Sequence, residues 1–299
     1  MDYSLIGKKI KELRKIVGLT QGELADGICT QALISRIEKG DIYPSATALY
    51  QISKKLGVDV NYFFEIGTTP RLDYIQEVER QLKKLRVKLK FEELMEMVKI
   101  EEKNPIFIKD NENLQLLLWH KGIYKFEVEK QRETAISTFY KAFHLTYNRK
   151  KALSEREMEI LLSIGALEFS GGNYDRSFEI YRQVKEGLST NTSLNDKSIK
   201  TRLLYNIARV LTRLGKYRES IEHCEEAIKW CLEEEHLYGL GQLHYQIGYN
   251  YELEECYNKA LDYINKSRMI FEMLKDDKYL SYLIKKKEEI LIKQEMQPS

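Results

Sequence analysis

Five segments of this chain open a predicted helix after a break, and they recur at nearly constant spacing. They are Phe91-Glu-Glu-Leu, Arg132-Glu-Thr-Ala, Tyr174-Asp-Arg-Ser, Tyr217-Arg-Glu-Ser and Tyr257-Asn-Lys-Ala, at steps of 41, 42, 43 and 40 residues. Each unit predicts a helix, a turn and a second helix. Such a unit cannot bury both of its apolar faces alone, so neighbouring units must stack into a superhelix with a concave surface.

The composition favours an all-α chain. Only 4 of the 299 residues are proline and 16 are glycine, so few positions break a helix. The formal net charge of +2 provides no general basic field, and any contact with nucleic acid must come from a local patch. No apolar run approaches the ~20 residues of a membrane span, and the first residues lack the apolar core of a secretory signal. We therefore expect a cytoplasmic protein without membrane contact.

The four cysteines do not form a metal-binding pattern. Cys29, Cys224, Cys231 and Cys256 have no CxxC spacing and no clustered histidine partners. Cys224 and Cys231 lie seven residues apart, which is too far along one helix axis for a disulfide. We expect reduced thiols that pack as small hydrophobes, with no metal site and no cofactor.

Residues 1–66 predict five short helices. Thr20 followed by Glu23 is a capping-box pattern that begins the second helix. Thr30 can cap a third helix over 31–39, which Gly40 ends. Gly18 ends the first helix, Pro44-Ser45 opens the fourth, Gly57 closes it, and a short fifth segment follows. Apolar side chains at helical spacing predict one shared core: Leu5, Ile6, Ile10, Leu13, Val17, Leu24, Ala25, Ile28, Ile34, Ile37, Leu49, Ile52, Leu56, Val60, Tyr62, Phe63 and Phe64.

The second and third helices, joined by a tight turn, are typical of a DNA-reading pair. A helix fits the DNA major groove, and its N-terminal residues contact base edges. We expect Gln31 to bond adenine at two points, Arg36 to contact guanine or phosphate, and Gln21 to face the phosphate backbone. The predicted DNA-binding set is Gln21, Thr30, Gln31, Ala32, Leu33, Ser35 and Arg36.

This region resembles the helix-turn-helix of the Xre/Cro repressor class. The matching residues are Leu19-Thr20-Gln21, Leu24-Ala25, the ISRIE segment at 34–38, Gly40 and Pro44. Residues 1–66 hold nine Lys or Arg and eight Asp or Glu, a net charge of +1. One copy should bind DNA weakly, so we expect a homodimer on a palindromic operator of double-stranded DNA.

The GTTP segment at 67–70 predicts a domain boundary. We expect a linker and a linker helix at 67–90, and repeats at 91–299. The stretch at 83–90 alternates basic and apolar residues. It suits contact with DNA phosphates or an acidic peptide terminus, but a solvated helix face is the commoner meaning of such a run, and we favour it.

The unit RLLYNIARVLTRLGKYRESIEHCEEAIKW at 202–230 resembles the tetratricopeptide repeat, with Ala208, Gly215, Tyr217 and Ala227 at its small, turn and aromatic positions. That resemblance implies a right-handed superhelix whose first helices line the concave groove. Amides bond both groups of a peptide backbone, arginines clasp carboxylates and tyrosines add flat apolar contact. The predicted peptide-binding set is Arg202, Tyr205, Asn206, Arg209, Gln242, Tyr245, Gln246 and Tyr249.

An Xre/Cro-type domain followed by about five such repeats resembles the peptide-pheromone receptors of Gram-positive bacteria, the Rap/NprR/PlcR/PrgX group. The likeness is strongest at 18–45 and 200–260. It implies a dimeric transcription factor of quorum sensing that binds a short imported signalling peptide, with Asn206 and Gln242 as the main contacts. In the third unit Leu162, Ser163 and Ala166 occupy the groove positions, so an asparagine contact expected there is missing. We expect the peptide to alter the curvature of the superhelix and the spacing of two DNA-reading helices.

Two other functions stay open. The chain could be a constitutive DNA-binding regulator whose repeats bind another protein. It could also be an enzyme, such as a phosphatase that acts on a response regulator, as Rap relatives are. The five histidines are scattered, and His223 and Cys224 are adjacent, so they point in different directions on a helix. We therefore expect no catalytic residues and no enzymatic activity.

Overall fold

The computed structural model describes residues 3–68, 72–149, 152–190 and 194–296, and all the regular elements in those ranges are helices. The all-α prediction is therefore confirmed for these residues. The chain divides into two compact units, Met1–Lys90 and Phe91–Ser299. Residues 69 and 70 of the predicted break at 67–70 lie outside the described ranges.

Six helices lie in the described part of the first unit. They are α1 at Tyr3–Val17, α2 at Gln21–Ala25, α3 at Gln31–Lys39, α4 at Ala46–Leu56, α5 at Val60–Thr68 and α6 at Leu72–Val87. The predicted capping box is confirmed, since the Thr20 hydroxyl accepts from the Glu23 amide and the Glu23 carboxylate accepts from the Thr20 amide. Gly40 ends α3 with a φ of 83°, a left-handed conformation that favours glycine. Helix α5 includes Gly67 and Thr68, the first two residues of the GTTP segment.

The core of this unit consists of the apolar side chains that the helical spacing selects. Ten of them are buried: Ile6, Ile10, Leu24, Ala25, Ile34, Ile37, Leu49, Ile52, Leu56 and Phe63. Leu13, Ile28, Val60, Tyr62 and Phe64 are partly buried against this cluster. Two predicted residues differ: Val17 is 48% exposed at the end of α1, and Leu5 is half-buried and does not belong to this cluster. The short α2 and α3 are thus held by α1, α4 and α5 rather than by each other alone.

Gly7 permits a close crossing between α1 and α3. A Cβ atom at this position would overlap the carbonyl oxygen of Ile37 and lie 3.1 Å from its carbonyl carbon. These are backbone atoms inside a helix, so they cannot rotate away as a side chain can. The position of α3 relative to α1 therefore depends on a glycine at position 7.

Gly7→Ala should lower the free energy of unfolding of the first unit by ~1–3 kcal/mol, because the added methyl group overpacks a rigid crossing. Gly22→Ala is the matched control. Its Cβ would meet only the Thr20 hydroxyl at 3.9 Å, and the lost chain freedom should raise stability by ~0.4–1 kcal/mol. Hydrogen exchange of peptides from residues 3–68 measures both effects. Equal protection in the two variants would contradict the crossing constraint.

The second unit contains eleven helices within the described ranges. They are α7 at Phe91–Glu101, α8 at Pro105–Ile108, α9 at Asn111–Glu127, α10 at Arg132–His144, α11 at Glu155–Ser170, α12 at Tyr174–Thr190, α13 at Ser198–Arg213, α14 at Tyr217–Glu233, α15 at Leu240–Leu253, α16 at Tyr257–Leu274 and α17 at Asp277–Glu295. The five helix starts predicted from the repeat, at 91, 132, 174, 217 and 257, are confirmed. From α9 onward each helix packs on the next, and the first helices α9, α11, α13 and α15 also contact one another in order. These first helices therefore form one continuous layer.

Small residues mark the crossing of the two helices in each repeat. Three pairs of small residues face each other: Gly165 and Ser177, Ala208 and Ser220, and Gly248 and Ala260. In the remaining repeat Gly122 faces the Phe139 ring, and all of these residues are buried. In two repeats the serine hydroxyl donates 2.8 Å to the carbonyl oxygen of the opposite helix, at Gly165 and at Ala208. These contacts hold the two helices close and fix which face of each first helix turns away from its partner.

Candidate functional site

Helix α3 presents its N-terminal half to solvent. The Thr30 hydroxyl accepts from the Leu33 amide at 3.3 Å, so Thr30 acts as the N-cap. Gln31, Ala32 and Arg36 are exposed, while Leu33 and Ser35 are half-buried. On the opposite side Ile34 and Ile37 are buried in the core. Six of the seven residues predicted for DNA contact therefore share the accessible end of one rigid helix.

A buried ion pair joins α1 to α3. The Arg14 guanidinium donates to the Glu38 carboxylate at two points, with Nε to Oε1 at 2.5 Å and Nη2 to Oε2 at 3.0 Å. Arg14 also donates to the carbonyl oxygen of Leu19 at 2.8 Å, just before α2. The Gln21 amide donates to Glu38 Oε2 at 2.9 Å. We call Arg14, Glu38 and Gln21 the α1–α3 clasp. It connects α1, α2 and α3.

Glu38 is ionised in the clasp. Burial by itself raises the pKa of this carboxyl, but the hydrogen bonds from Arg14 and Gln21 outweigh burial and lower the net pKa. Gln21, the seventh residue predicted for DNA contact, therefore has one amide hydrogen committed to Glu38. A primary amide carries two donor hydrogens, and the second one of Gln21 has no partner among the described residues.

In the repeats, Arg202 and Gln246 are engaged by the protein itself. The Arg202 Nη2 lies 2.8 Å from Glu159 Oε1 and 3.8 Å from Asp196 Oδ2. Gln246 is 5% exposed, and its amide donates to the Thr212 hydroxyl at 2.7 Å. The Thr212 hydroxyl in turn contacts Asn250 Oδ1 at 2.6 Å. The polar group of Gln246, predicted to contact peptide, is therefore already part of a buried hydrogen-bond network between α13 and α15.

Asn206, Arg209 and Gln242 differ from these two residues. They are half-buried, and within the described ranges their side chains form no hydrogen bond or ion pair with another side chain or with the backbone. The Arg209 guanidinium carbon lies 4.3 Å from the ring centre of Phe169 and 5.7 Å from that of Tyr205. These three side chains keep their hydrogen-bonding capacity for a ligand.

An aromatic cluster lies at the end of the first-helix layer. The Tyr245 and Tyr249 rings stack at 6.1 Å, and the Tyr245 hydroxyl lies 2.6 Å from that of Tyr282 on α17. Burial and this hydrogen bond raise the pKa of Tyr245, so its phenol is neutral at physiological pH. Lys286 lies 5.6 Å from the Tyr249 ring centre and pairs with the buried Glu252. The sequence did not predict that Tyr282 and Lys286 lie beside Tyr245 and Tyr249, because α17 shows no repeat motif.

The groove positions predicted in the third repeat hold apolar and small residues, and one of them is buried. Leu162 is 4% exposed and Ala166 is half-buried. The Ser163 hydroxyl accepts from the Trp119 indole N–H at 3.0 Å and donates to the Glu159 carbonyl oxygen. Trp119 is thus a buried side chain between α9 and α11. Leu162 and Ala166 have no polar side-chain atoms, and the Ser163 hydroxyl is already bonded within the protein.

The described residues can also be compared with what a metal site, a reactive thiol and a membrane-spanning helix require. Among them, no group of three His, Cys, Asp or Glu side chains is placed to hold a metal ion. Burial raises the pKa of the Cys224 thiol, which leaves it protonated and a weak nucleophile. No described helix combines the length and apolarity that crossing a membrane requires.

The architecture and two sequence profiles identify the class. The profile of the RNPP family C-terminal domain matches residues 79–292, and a helix-turn-helix profile matches residues 10–63. The fold therefore defines an all-α protein with a helix-turn-helix domain and a helical-repeat domain. Because the first profile covers more than two thirds of its length, this chain belongs to the RNPP family.

Three solved structures have the same fold. PlcR of Bacillus thuringiensis, in complex with the peptide PapR7 and DNA, is 24% identical over 94% of this chain and 99% of that chain, with a TM-score of 0.84. ComR of S. thermophilus, in complex with DNA and its signalling peptide ComS, is 16% identical over 95% and 99%, with a TM-score of 0.66. The pheromone receptor Rgg2 of Streptococcus dysgalactiae is 16% identical over 95% and 99%, with a TM-score of 0.61. No curated protein sequence matches this chain.

Glu38→Gln should lower the free energy of unfolding of the first unit by ~3–5 kcal/mol, because it leaves the buried Arg14 charge without its partner. Glu12→Gln is the matched control, since Glu12 forms only a surface pair with Lys9 and should change stability by less than ~0.5 kcal/mol. Both tryptophans lie in the second unit. Their fluorescence follows the repeats alone, while far-UV circular dichroism follows both units. A circular dichroism melt for Glu38→Gln that matches Glu12→Gln would contradict a stabilising clasp.

The lowered pKa of Glu38 also predicts a pH dependence. Its stabilising contribution is complete above the ordinary glutamate pKa of about 4.3 and is lost as the pH falls through the lower pKa of the folded state. The first unit should therefore lose stability on acidification below about pH 4. Glu38→Gln should flatten this dependence, measured as the melting temperature from pH 6 to pH 3. An equal slope in both proteins would assign the acid sensitivity to other carboxyls.

Proposed function

We propose that this chain is a transcription regulator that binds double-stranded DNA through α3 and responds to a short signalling peptide bound by the first helices of its repeats. The observation that carries the proposal is the contrast within one chain between two sets of polar residues. The residues at the start of α3 face solvent on a helix that the core and the α1–α3 clasp hold in place. Asn206, Arg209 and Gln242, on α13 and α15, are half-buried, and their side chains have no hydrogen bond or ion pair among the described residues. Membership of the RNPP family supports it, as do the DNA and peptides in the PlcR and ComR complexes.

Each contact on the DNA side has a proposed role. Gln31 and Arg36 read base edges, Ala32 or Leu33 meets a thymine methyl group, and Gln21 holds a phosphate. Thr30 serves through its cap, which fixes the first turn of α3. A net charge of +1 in residues 1–66 gives one copy little affinity, so we propose a homodimer on two half-sites.

On the peptide side we propose contacts from Asn206, Arg209, Gln242, Tyr205, Tyr245 and Tyr249. We propose that Arg202 positions α13 against α11 through Glu159 rather than contacting peptide directly. Each repeat touches mainly its neighbours, so a ligand that bridges α13 and α15 would bias the angle between them. Such a ligand switches the regulator only if it binds one arrangement better than the other.

Selection of operator sequences from randomised double-stranded DNA by the full chain tests the DNA side. Gln31→Ala should weaken binding to the selected sites by ~1–3 kcal/mol and relax base choice at one position, since a bidentate contact is lost. Gln51→Ala removes an exposed amide from α4 and should leave the selected motif unchanged. Equal loss on all sequences for Gln31→Ala would remove it from the base readers.

Calorimetry tests the peptide side with C-terminal segments of exported small proteins encoded beside the gene. Asn206→Ala should reduce peptide affinity and abolish the change in operator affinity, while operator binding without peptide stays intact. Gln183→Ala, which removes an exposed amide from α12, should behave as the parent protein. If the parent's operator affinity is the same with and without bound peptide, the chain is a constitutive regulator and the switch is wrong.

A further inference from the structure

Arg209 is held by aromatic rings instead of carboxylates. Its guanidinium lies over Phe169 of the neighbouring first helix α11 and near Tyr205 one turn earlier on α13. Within the described ranges no ion pair neutralises it, and its positive charge is felt by the buried Tyr181, where it opposes the rise that burial gives to the tyrosine pKa. Arg209 is therefore a partly buried cation whose charge is not neutralised by a carboxylate among the described residues.

The neighbouring groove cations are already neutralised. Arg202 faces Glu159 and Asp196, and Lys286 faces Glu252 and Glu289. An incoming anion would have to compete with these carboxylates. At Arg209 it would meet no competitor among the described side chains.

The planar shape of the guanidinium decides what Arg209 can bind. Aromatic contact occupies a face of the group, while its N–H donors point outward along its edges. A carboxylate matches that edge with two parallel hydrogen bonds. The ring contacts also restrict the side chain before binding, so less conformational entropy is lost when a ligand arrives.

Asn206 lies three residues before Arg209, so the two side chains neighbour each other on one face of α13. Its amide is also unpaired within the described residues. Together they offer a two-point carboxylate receptor next to a group that bonds a peptide N–H or C=O.

We propose that Arg209 is the carboxylate receptor of the repeat layer, and that the ligand is a peptide which presents a carboxylate to it. This inference rests on the proposed peptide-binding function. The carboxylate belongs either to the C-terminus of the peptide or to an Asp or Glu side chain, because both have the same shape and charge.

Affinity selection by the full chain from two synthetic randomised heptapeptide libraries tests this. One library has a free C-terminal carboxylate and the other a C-terminal amide, and retained peptides are sequenced by mass spectrometry. Retention of only the free-acid library identifies the C-terminus as the ligand group. Enrichment of Asp or Glu at one position in the amidated library identifies a side chain.

The same peptides are then measured against three variants. Arg209→Gln should lose affinity at least about tenfold, because a charge-assisted pair becomes a neutral contact. Arg209→Lys should recover part of it, since it keeps the charge without the fork. Arg218→Gln removes the same charge from an exposed position on α14 and should change affinity less than twofold. Tryptophan fluorescence melts establish that the variant repeats are folded.

Two results would overturn the inference in distinguishable ways. If the chain retains peptides but Arg209→Gln binds them within twofold of the parent, the receptor assignment is wrong and the proposed peptide function stands. If the chain retains no peptide from either library, the peptide function itself fails and the inference with it.

Discussion

The close crossing of two helices at small residues is the constraint on which the repeat unit depends. At Gly165 and Ser177, and again at Ala208 and Ser220, the second helix comes near enough for a serine hydroxyl to reach the backbone of the first. A larger side chain at either place would separate the pair and turn its apolar stripe out of register with the next repeat. Because the crossings recur every 40 to 43 residues, the first helices form a layer with the same face exposed each time.

The polar residues of the first-helix layer fall into two groups. Arg202 and Gln246 stabilise the contacts α13–α11 and α13–α15, and they have partners that offset the cost of burial. Asn206, Arg209 and Gln242 are exposed enough to be hydrated and have no such partners within the described ranges. The distinction matters for function, since a polar side chain can form new hydrogen bonds with a ligand only if its donors or acceptors are free.

In the first unit the constraint is different. Helices α2 and α3 are too short to form a core by themselves, so other elements must hold them. A glycine lets α1 approach α3, and the α1–α3 clasp ties both helices to the loop before α2. Breaking a buried ion pair costs far more than breaking a surface pair, since one charge is left without a partner in a poorly polarisable environment. The exposed residues of α3 are therefore presented by a rigid support, which a base-reading helix requires.

The sequence by itself determined the helices, their caps and the repeat. Thr20, Thr30 and Gly40 act locally, through hydrogen bonds and backbone angles within a few residues, so their roles follow from spacing alone. The five repeat starts follow from the same local logic. Residues 1–66 also indicated the helix-turn-helix, because its motif is contiguous.

Only the tertiary structure decided which of the predicted groove residues are available. Gln242 and Gln246 are chemically alike and one turn apart, yet one is open and the other is buried against Thr212. Helical spacing assigns a face to within about a turn, whereas burial depends on side chains that arrive from another repeat. Tyr282 and Phe169 belong to no sequence motif. They contact Tyr245 and Arg209 because the repeats pack together. Non-local packing, absent from any short stretch of sequence, sets the chemistry of the site.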